Sequence, residues 1–200
     1  VTRPVGILLA AGRGRRFDPS GAANKLLQPL ADGDPVVVAS ARKLLSQLDR
    51  VVAVVAPAVG TNDDGVAAAL RALGCEVTVC ADADSGMAAS LVHAVHYAAQ
   101  APGWLIALGD MPFVQVETIA VLRDAVAGGA GIAVPVCGGR RGNPAAFGAA
   151  YLPALLALEG DQGARAIIRD GVVTEVAVDD TGIFSDIDTR SDLSKTSTLA

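Results

Sequence analysis

An apolar run over residues 5–10, Val-Gly-Ile-Leu-Leu-Ala, stops abruptly at Ala11-Gly12-Arg13-Gly14-Arg15-Arg16, and no other feature of the chain limits its fold as much. The run has the length and composition of a strand buried on both faces, which implies a parallel sheet covered by helices. Small residues at its end let backbone N–H groups close around an anion. Arg13, Arg15 and Arg16, with Lys25 at the far lip, concentrate positive charge beside those amides. The expectation is a polyphosphate cradle. Two familiar phosphate loops do not account for it. The dinucleotide fingerprint requires a third glycine where this chain has Phe17, and the Walker loop requires Gly-Lys-Ser/Thr where Lys25 stands between Asn24 and Leu26.

With 200 residues, 52% of them hydrophobic and 18% charged, the chain can bury a core without disulfides or metals. We expect one domain over residues 1–193 and a polar, frayed tail at 194–200. No stretch reaches the roughly 18 unbroken apolar residues of a membrane helix, and no secretory signal pattern is seen, so a cytoplasmic location and no membrane partner are expected. A net charge of −5, with basic residues clustered only near 13–16, argues against a nucleic-acid partner. Cys75, Cys80 and Cys137 form no Cys-x-x-Cys pair and read as reduced, inert thiols. His93 and His96 have no third ligand nearby and do not suggest zinc.

Helical spacing over residues 35–48, 63–73, 87–100 and 117–126 alternates with strand-like runs at 51–56, 76–80, 104–108 and 131–136. The last third reads as a loop over 137–143, a short strand at 145–147, helices at 151–158 and 163–169, a strand at 172–178, and a final helix capped by Asp188 or Thr189. This order builds an α/β sandwich in three layers, with a mostly parallel sheet and helices on both faces. Ligands lie over the carboxyl ends of such strands, where four unusual loops gather: residues 11–25, 82–87, 109–113 and 137–144. In the second, Ser85 is a natural N-cap that leaves the amides of Gly86 and Met87 for a ligand. In the third, Asp110 stands at the tip of an apolar strand, placed to hold a magnesium ion on phosphates. Its structural alternative, capping the helix that begins near Val116, fails because that helix is too far away for a direct cap.

Seven motifs then occur in family order: Leu9-Ala-Ala-Gly, Lys25-Leu-Leu, Ser85-Gly-Met-Ala-Ala-Ser-Leu, Leu108-Gly-Asp-Met-Pro, Arg141-Gly-Asn-Pro, Gly160-Asp-Gln-Gly-Ala-Arg and Asp186-Ile-Asp-Thr. Over nearly the whole chain this sequence resembles the MobA/MocA-like nucleotidyltransferases, in their molybdenum cofactor cytidylyltransferase branch. The resemblance implies a Rossmann-like, nucleotide-diphospho-sugar transferase-like fold. It implies transfer of CMP from CTP to a phosphorylated acceptor, molybdopterin, with release of pyrophosphate, and a molybdoenzyme as recipient of the product. Mg²⁺ is the implied cofactor, with Mn²⁺ as an alternative.

Carried over residue by residue, the catalytic group is Lys25, Asp110 and Arg16. The nucleotide site comprises Leu9, Ala10, Ala11, Gly12, Arg13, Gly14, Arg15 and Lys25 with Ser85, Gly86, Met87 and Ser90. Asp110, Asp186 and Asp188 are the metal ligands, and Arg141, Asn143, Asp161 and Arg165 face the acceptor. A phosphomonoester with a second pKa of about 6 is already a nucleophile at neutral pH, so no general base is needed. Ala11, where the guanylyl branch has glycine, favours CTP over GTP. Two departures stand out: Asp18 with a lengthened loop after Phe17, and Asn143 where the family often has histidine. Competing readings are the same chemistry with another base or acceptor, and a nucleotide-binding protein without transfer activity, for which Asp18 is the best argument. A nicotinamide-dependent oxidoreductase is disfavoured by Phe17.

Overall fold

The computed structural model describes residues 3–12, 14, 16–20, 23–58, 65–161 and 163–194. Its elements are β1 (Val5–Leu9), α1 (Val36–Gln47), β2 (Val51–Val55), α2 (Gly65–Ala72), β3 (Glu76–Val79), α3 (Met87–Tyr97), β4 (Gly103–Leu108) and α4 (Val116–Ala127), followed by β5 (Ile132–Cys137), β6 (Arg140–Arg141), β7 (Ala145–Gly148), α5 (Leu152–Leu156), α6 (Arg165–Asp170), β8 (Val173–Ala177) and α7 (Arg190–Ser194). The strands form one sheet in the order β3-β2-β1-β4-β7-β5-β6, with β8 paired to β5. The first four are mutually parallel. β7 then runs antiparallel between β4 and β5, and β8 restores parallel pairing on β5. The expected α/β architecture with helices on both faces is what forms. Among the described residues no helix is long and apolar enough to cross a membrane.

Side-chain alternation along the strands divides the core in two. Leu8 and Leu105 pack with Val37, Leu44, Leu70 and Leu122 of α1, α2 and α4 on one face. Ile7, Val52 and Trp104 pack with Leu91 and Val95 of α3 and Leu155 of α5 on the other. Trp104 is fully buried, and its indole N–H donates to the Ala98 carbonyl at 3.0 Å, so no polar atom is stranded. Burial pushes the Cys75 thiol up to about 11, in keeping with an inert structural residue.

The last third departs from the sequence expectation. The presumed loop over residues 137–143 is a hairpin: Gly138 and Gly139, with φ of 56° and 76°, make the tight turn between β5 and β6. Val136 pairs with Arg141, the Gly142 amide donates to Pro135, and farther along Ala133 pairs with Ala146. β6 and β7 are thus two halves of one strand, put out of step by an interruption at Asn143 and Pro144. The helix expected over 151–158 is shorter: a 3₁₀ turn, Ala149–Tyr151, followed by the five-residue α5. Thr189 immediately precedes α7, and the amides of Asp188 and Thr189 donate to the Asp192 carboxylate, at 3.1 and 2.7 Å, as the third helical residue does in a capping box. Of the tail expected at 194–200, residues 195–200 lie outside the described residues.

Asp180, only 1% exposed, holds the carboxyl-terminal segment in place. Its carboxylate accepts hydrogen bonds from the Gln115 amide at 2.8 Å, the Thr118 hydroxyl at 2.6 Å and the Gly182 amide at 2.8 Å. It therefore caps α4, whose own N-cap Gln115 supplies no side-chain bond. The segment that follows donates from Ile187 N–H to the Asp110 carbonyl at 2.9 Å. Asp180→Ala would strand two amides and a hydroxyl, and should cost about 2–3 kcal/mol. For a chain of this size that lowers the melting temperature by about 4–10 °C, readable by thermal unfolding. An unchanged melting temperature would show that this tie carries no weight.

Candidate active site

The parallel order places the carboxyl ends of β1 and β4 side by side. There the Gly109 amide donates to the Leu9 carbonyl at 2.9 Å, and a Cβ on Gly109 would come within 3.1 Å of that oxygen. Asp110 projects from this contact. Two side chains of α1 grip the loop from below: the Ser40 hydroxyl donates to the Gly109 carbonyl at 3.1 Å, and the Lys43 ammonium to the Pro112 carbonyl at 2.5 Å. The opposing group comes from a short 3₁₀ turn, Lys25–Leu27, capped by the Asn24 side chain, which accepts from the Leu26 amide at 3.0 Å.

Lys25 is not at an open lip, as its position in the sequence suggested. It is 7% exposed, because Leu26 anchors the turn in the core and Gly14 lies against the lysine stem. Its ammonium donates to Asp110 Oδ2 at 2.6 Å and Asp188 Oδ1 at 3.1 Å, and Arg16 Nη1 reaches Asp188 Oδ2 at 2.6 Å. Burial alone would push the Lys25 ammonium down, but the charge and hydrogen bond of Asp110, then those of Asp188, outweigh it and hold the pKa above the usual lysine value. Asp186 lies close enough to feel the cluster. Desolvation, then the charges of Asp188 and Asp110, raise its carboxyl above the usual aspartate range. The capping alternative for Asp110 does not hold, since α4 is capped by Asp180.

Among the described residues no group of three or more His, Cys, Asp or Glu side chains is set to hold a metal unaided. Two carboxylates, Asp110 and Asp188, do converge on one cation, the Lys25 ammonium. Such a pair fits a hard divalent ion that keeps several waters and takes phosphate oxygens as further ligands.

The other residues expected to bind nucleotide come from the first loop and the start of α3. Ala10 and Ala11 are buried beneath the first loop, with Ala11 packed into the core on the α3 side. A Cβ on Gly12 would meet nothing within 4 Å, which leaves room for a ligand to approach the backbone. Arg13 and Arg15 lie outside the described residues. Asp18 does not face this space: its carboxylate accepts from the Ser20 hydroxyl at 2.6 Å, the Ser20 amide at 3.0 Å and the Ala23 amide at 2.8 Å. Those bonds hold its carboxyl below the usual range and tie the lengthened loop to itself.

At the start of α3 the expected cap is corrected. Ser85 ends a 3₁₀ turn, and Gly86, at φ 120°, occupies the cap position with no side-chain bond. The Ala88 amide instead donates to the Gly160 carbonyl at 3.1 Å, and a Cβ on Gly86 would fall 2.5 Å from Asp161 Oδ1. Gly86 is thus required by its backbone and by this close approach. Leu9 is partly exposed and Met87 is 45% exposed, whereas Ser90 is buried on the inner side of α3.

The four acceptor candidates do not converge. Asp161 sits over Gly86, and Arg165 opens the nearby α6. Arg141 Nε pairs with Glu175 at 2.7 Å on the sheet surface. Asn143 lines a cavity with Ser40, Lys43 and Met111 on the face of α1 and α4. Asp180, which positions the Asp186 to Asp188 stretch, was missed. The Asp-Thr-Gly sequence signals a turn, but nothing local names a partner 65 residues away.

Replacing Lys25 with methionine takes the ammonium from half-buried Asp110, leaves Asp188 with Arg16 alone, and should cost about 1–2 kcal/mol after allowance for solvent at the carboxylates. A raised lysine pKa contributes stability at every pH below the unfolded value. The deficit of Lys25→Met should therefore stay constant through neutral pH and fade only as pH rises above the ordinary 10.5. Urea unfolding across that range checks it, and equal stability of the two proteins at pH 7 would refute it.

Comparison with known proteins identifies the family. The MobA-like NTP transferase domain family matches residues 6–176. Purine catabolism protein PucB of Bacillus subtilis (strain 168) is 30% identical over 200 residues, covering 92% of this chain and 91% of that protein. A nucleotidyl transferase from Methanothermobacter thermautotroptrophicus (Mth528) superposes with a TM-score of 0.82 at 26% identity, over 100% of this chain and 98% of that one. Rv0371c from Mycobacterium tuberculosis H37Rv gives 0.79 at 28% identity over 98% of each chain. Its complex with manganese gives 0.73 at 27% identity over 97% of each. With the family match running from β1 into β8, the chain belongs to the MobA-like NTP transferase domain family and is a nucleotidyltransferase acting on a nucleoside triphosphate.

Proposed function

We propose that this chain, as one domain over residues 1–193, transfers CMP from CTP to a phosphorylated acceptor, molybdopterin, releases pyrophosphate, and serves a recipient molybdoenzyme in the cytoplasm. The observation that carries the reading is the cluster of Lys25, Arg16, Asp110 and Asp188 at the adjoining ends of β1 and β4. Lys25 and Arg16 are cations that a triphosphate can recruit, and the open backbone at Gly12 gives it a seat. Asp110 and Asp188, with Asp186 beside them, would hold Mg²⁺, and Mn²⁺ is supported by the manganese complex of Rv0371c. When bound, the ion supplies charge neutralisation at the phosphates.

Leu9, Ala10, Ala11, Gly12 and Gly14 line the triphosphate and base, with Arg13 and Arg15 assigned to the phosphates from the sequence alone, and Ser85, Gly86, Met87 and Ser90 border the nucleoside. Asp161 and Arg165 are the acceptor candidates best placed to act there, since their segment covers Gly86. The chain's own work is positioning and charge compensation, because a phosphomonoester acceptor needs no base at neutral pH.

A second reading keeps the chemistry and changes the acceptor or its user: the curated relative bears the name of purine catabolism. A binding protein without turnover loses its main support, because Asp18 is spent on Ser20 and Ala23.

Pyrophosphate release from CTP should appear only when molybdopterin is added, and Asp110→Asn should lower it by about a hundredfold with the circular dichroism spectrum unchanged. Near-normal turnover in that variant would remove Asp110 from the site. In competition binding CTP should be preferred over GTP by about tenfold. Equal affinity, or a preference for GTP, would move the protein out of the cytidylyl branch.

A further inference from the structure

The carboxylates that suit a divalent ion already hold a cation. The Lys25 ammonium lies 2.6 Å from Asp110 Oδ2 and 3.1 Å from Asp188 Oδ1, and it is shut away from solvent. A magnesium ion on the same two oxygens takes bonds of about 2.0–2.1 Å. Two cations sharing those ligands would be near neighbours in a half-buried site, where their repulsion is poorly screened. They exclude one another.

We propose that Lys25 is the resident cation of the metal site: its ammonium occupies the place between Asp110 and Asp188 until a triphosphate draws it away, so that the divalent ion enters together with nucleotide and not before it. The proposal rests on the metal reading above. Its charge balance is local. Asp110, Asp186 and Asp188 face Lys25 and Arg16, so the cluster of described residues is nearly neutral and offers a lone divalent ion little. A polyphosphate arriving over Gly12 takes up the lysine and the arginine, and the three acids are then left with negative charge that only a cation from solution can balance. The Lys25 stem lies along Gly14, so the side chain that must move is already packed on the loop to which it moves. Linkage makes the coupling mutual: nucleotide raises the affinity for metal by the factor by which metal raises the affinity for nucleotide.

The test is Mn²⁺ binding to the intact chain, read by electron paramagnetic resonance without nucleotide. Unmodified protein and Lys25→Arg, which keeps the charge, should bind Mn²⁺ weakly, and Lys25→Met should bind at least about tenfold more tightly. Lys25→Met binding no more tightly than the unmodified protein overturns the exchange. A second measurement avoids any dependence on the folding of that variant. The ¹⁵Nζ signal of Lys25, assigned with Lys25→Arg, should be unmoved by millimolar Mg²⁺ alone and should shift when a non-hydrolysable CTP analogue is added with it. A shift with Mg²⁺ alone overturns the proposal while leaving the metal site intact. If Mn²⁺ binds to no form of the protein, with or without the analogue, the metal reading beneath it falls as well.

Discussion

The ion pairs that Lys25 makes with Asp110 and Asp188 join positions 85 and 163 residues apart, and the surrounding architecture lets these three side chains meet. Parallel pairing of β1 with β4 brings two loops together at one edge of the sheet. Ser40 and Lys43 of α1 fix the second loop by its carbonyls, so Asp110 has little freedom to turn away. Asp180 pins the last segment to the start of α4, and Ile187 then hydrogen-bonds to the Asp110 backbone, which delivers Asp188. A charge cluster of this kind contributes only modestly to stability, because desolvation offsets most of the attraction. Its value lies in holding opposite charges ready at a fixed place, where a ligand can redistribute them without reorganising the backbone.

Much of this was legible in the chain. Continuous apolar runs alternating with helical spacing named a parallel sheet, and an acid at the tip of such a run, Asp110, had few structural uses. What could not be read was supplied from far away in sequence. The cap of α3 is a carbonyl from Gly160, and the cap of α4 is Asp180, so neither helix start could be completed from its own neighbourhood. The burial of Lys25 depends on Gly14 and Leu26 closing around it, which no periodicity reports. The acceptor residues scattered for a related reason. Motifs preserve order along a chain, but the interruption at Asn143 and Pro144 and the two faces of the sheet send Arg141, Asn143 and Asp161 to different surroundings.

The lengthened first loop illustrates how a charge near an anion site can be made harmless. Asp18 turns its carboxylate onto Ser20 and Ala23, and Arg190 covers the buried ring of Phe17 at 5.3 Å, so Phe17 is tied to the far end of the chain.

The distance in sequence between Lys25 and Asp188 has a consequence for how the molecule comes into being. A polypeptide leaving the ribosome presents β1 through β4, with every parallel neighbour of β1, long before Asp188 has been made. Until then Lys25 and Asp110 can pair but the second carboxylate is missing, and the Asp180 clasp that would bring it is missing too. A nascent or carboxyl-terminally truncated chain can thus own most of a nucleotide cradle and still lack the means to close its cation cluster. The cation cluster therefore closes only after the last strand of the sheet has been made, since residue 188 follows β8.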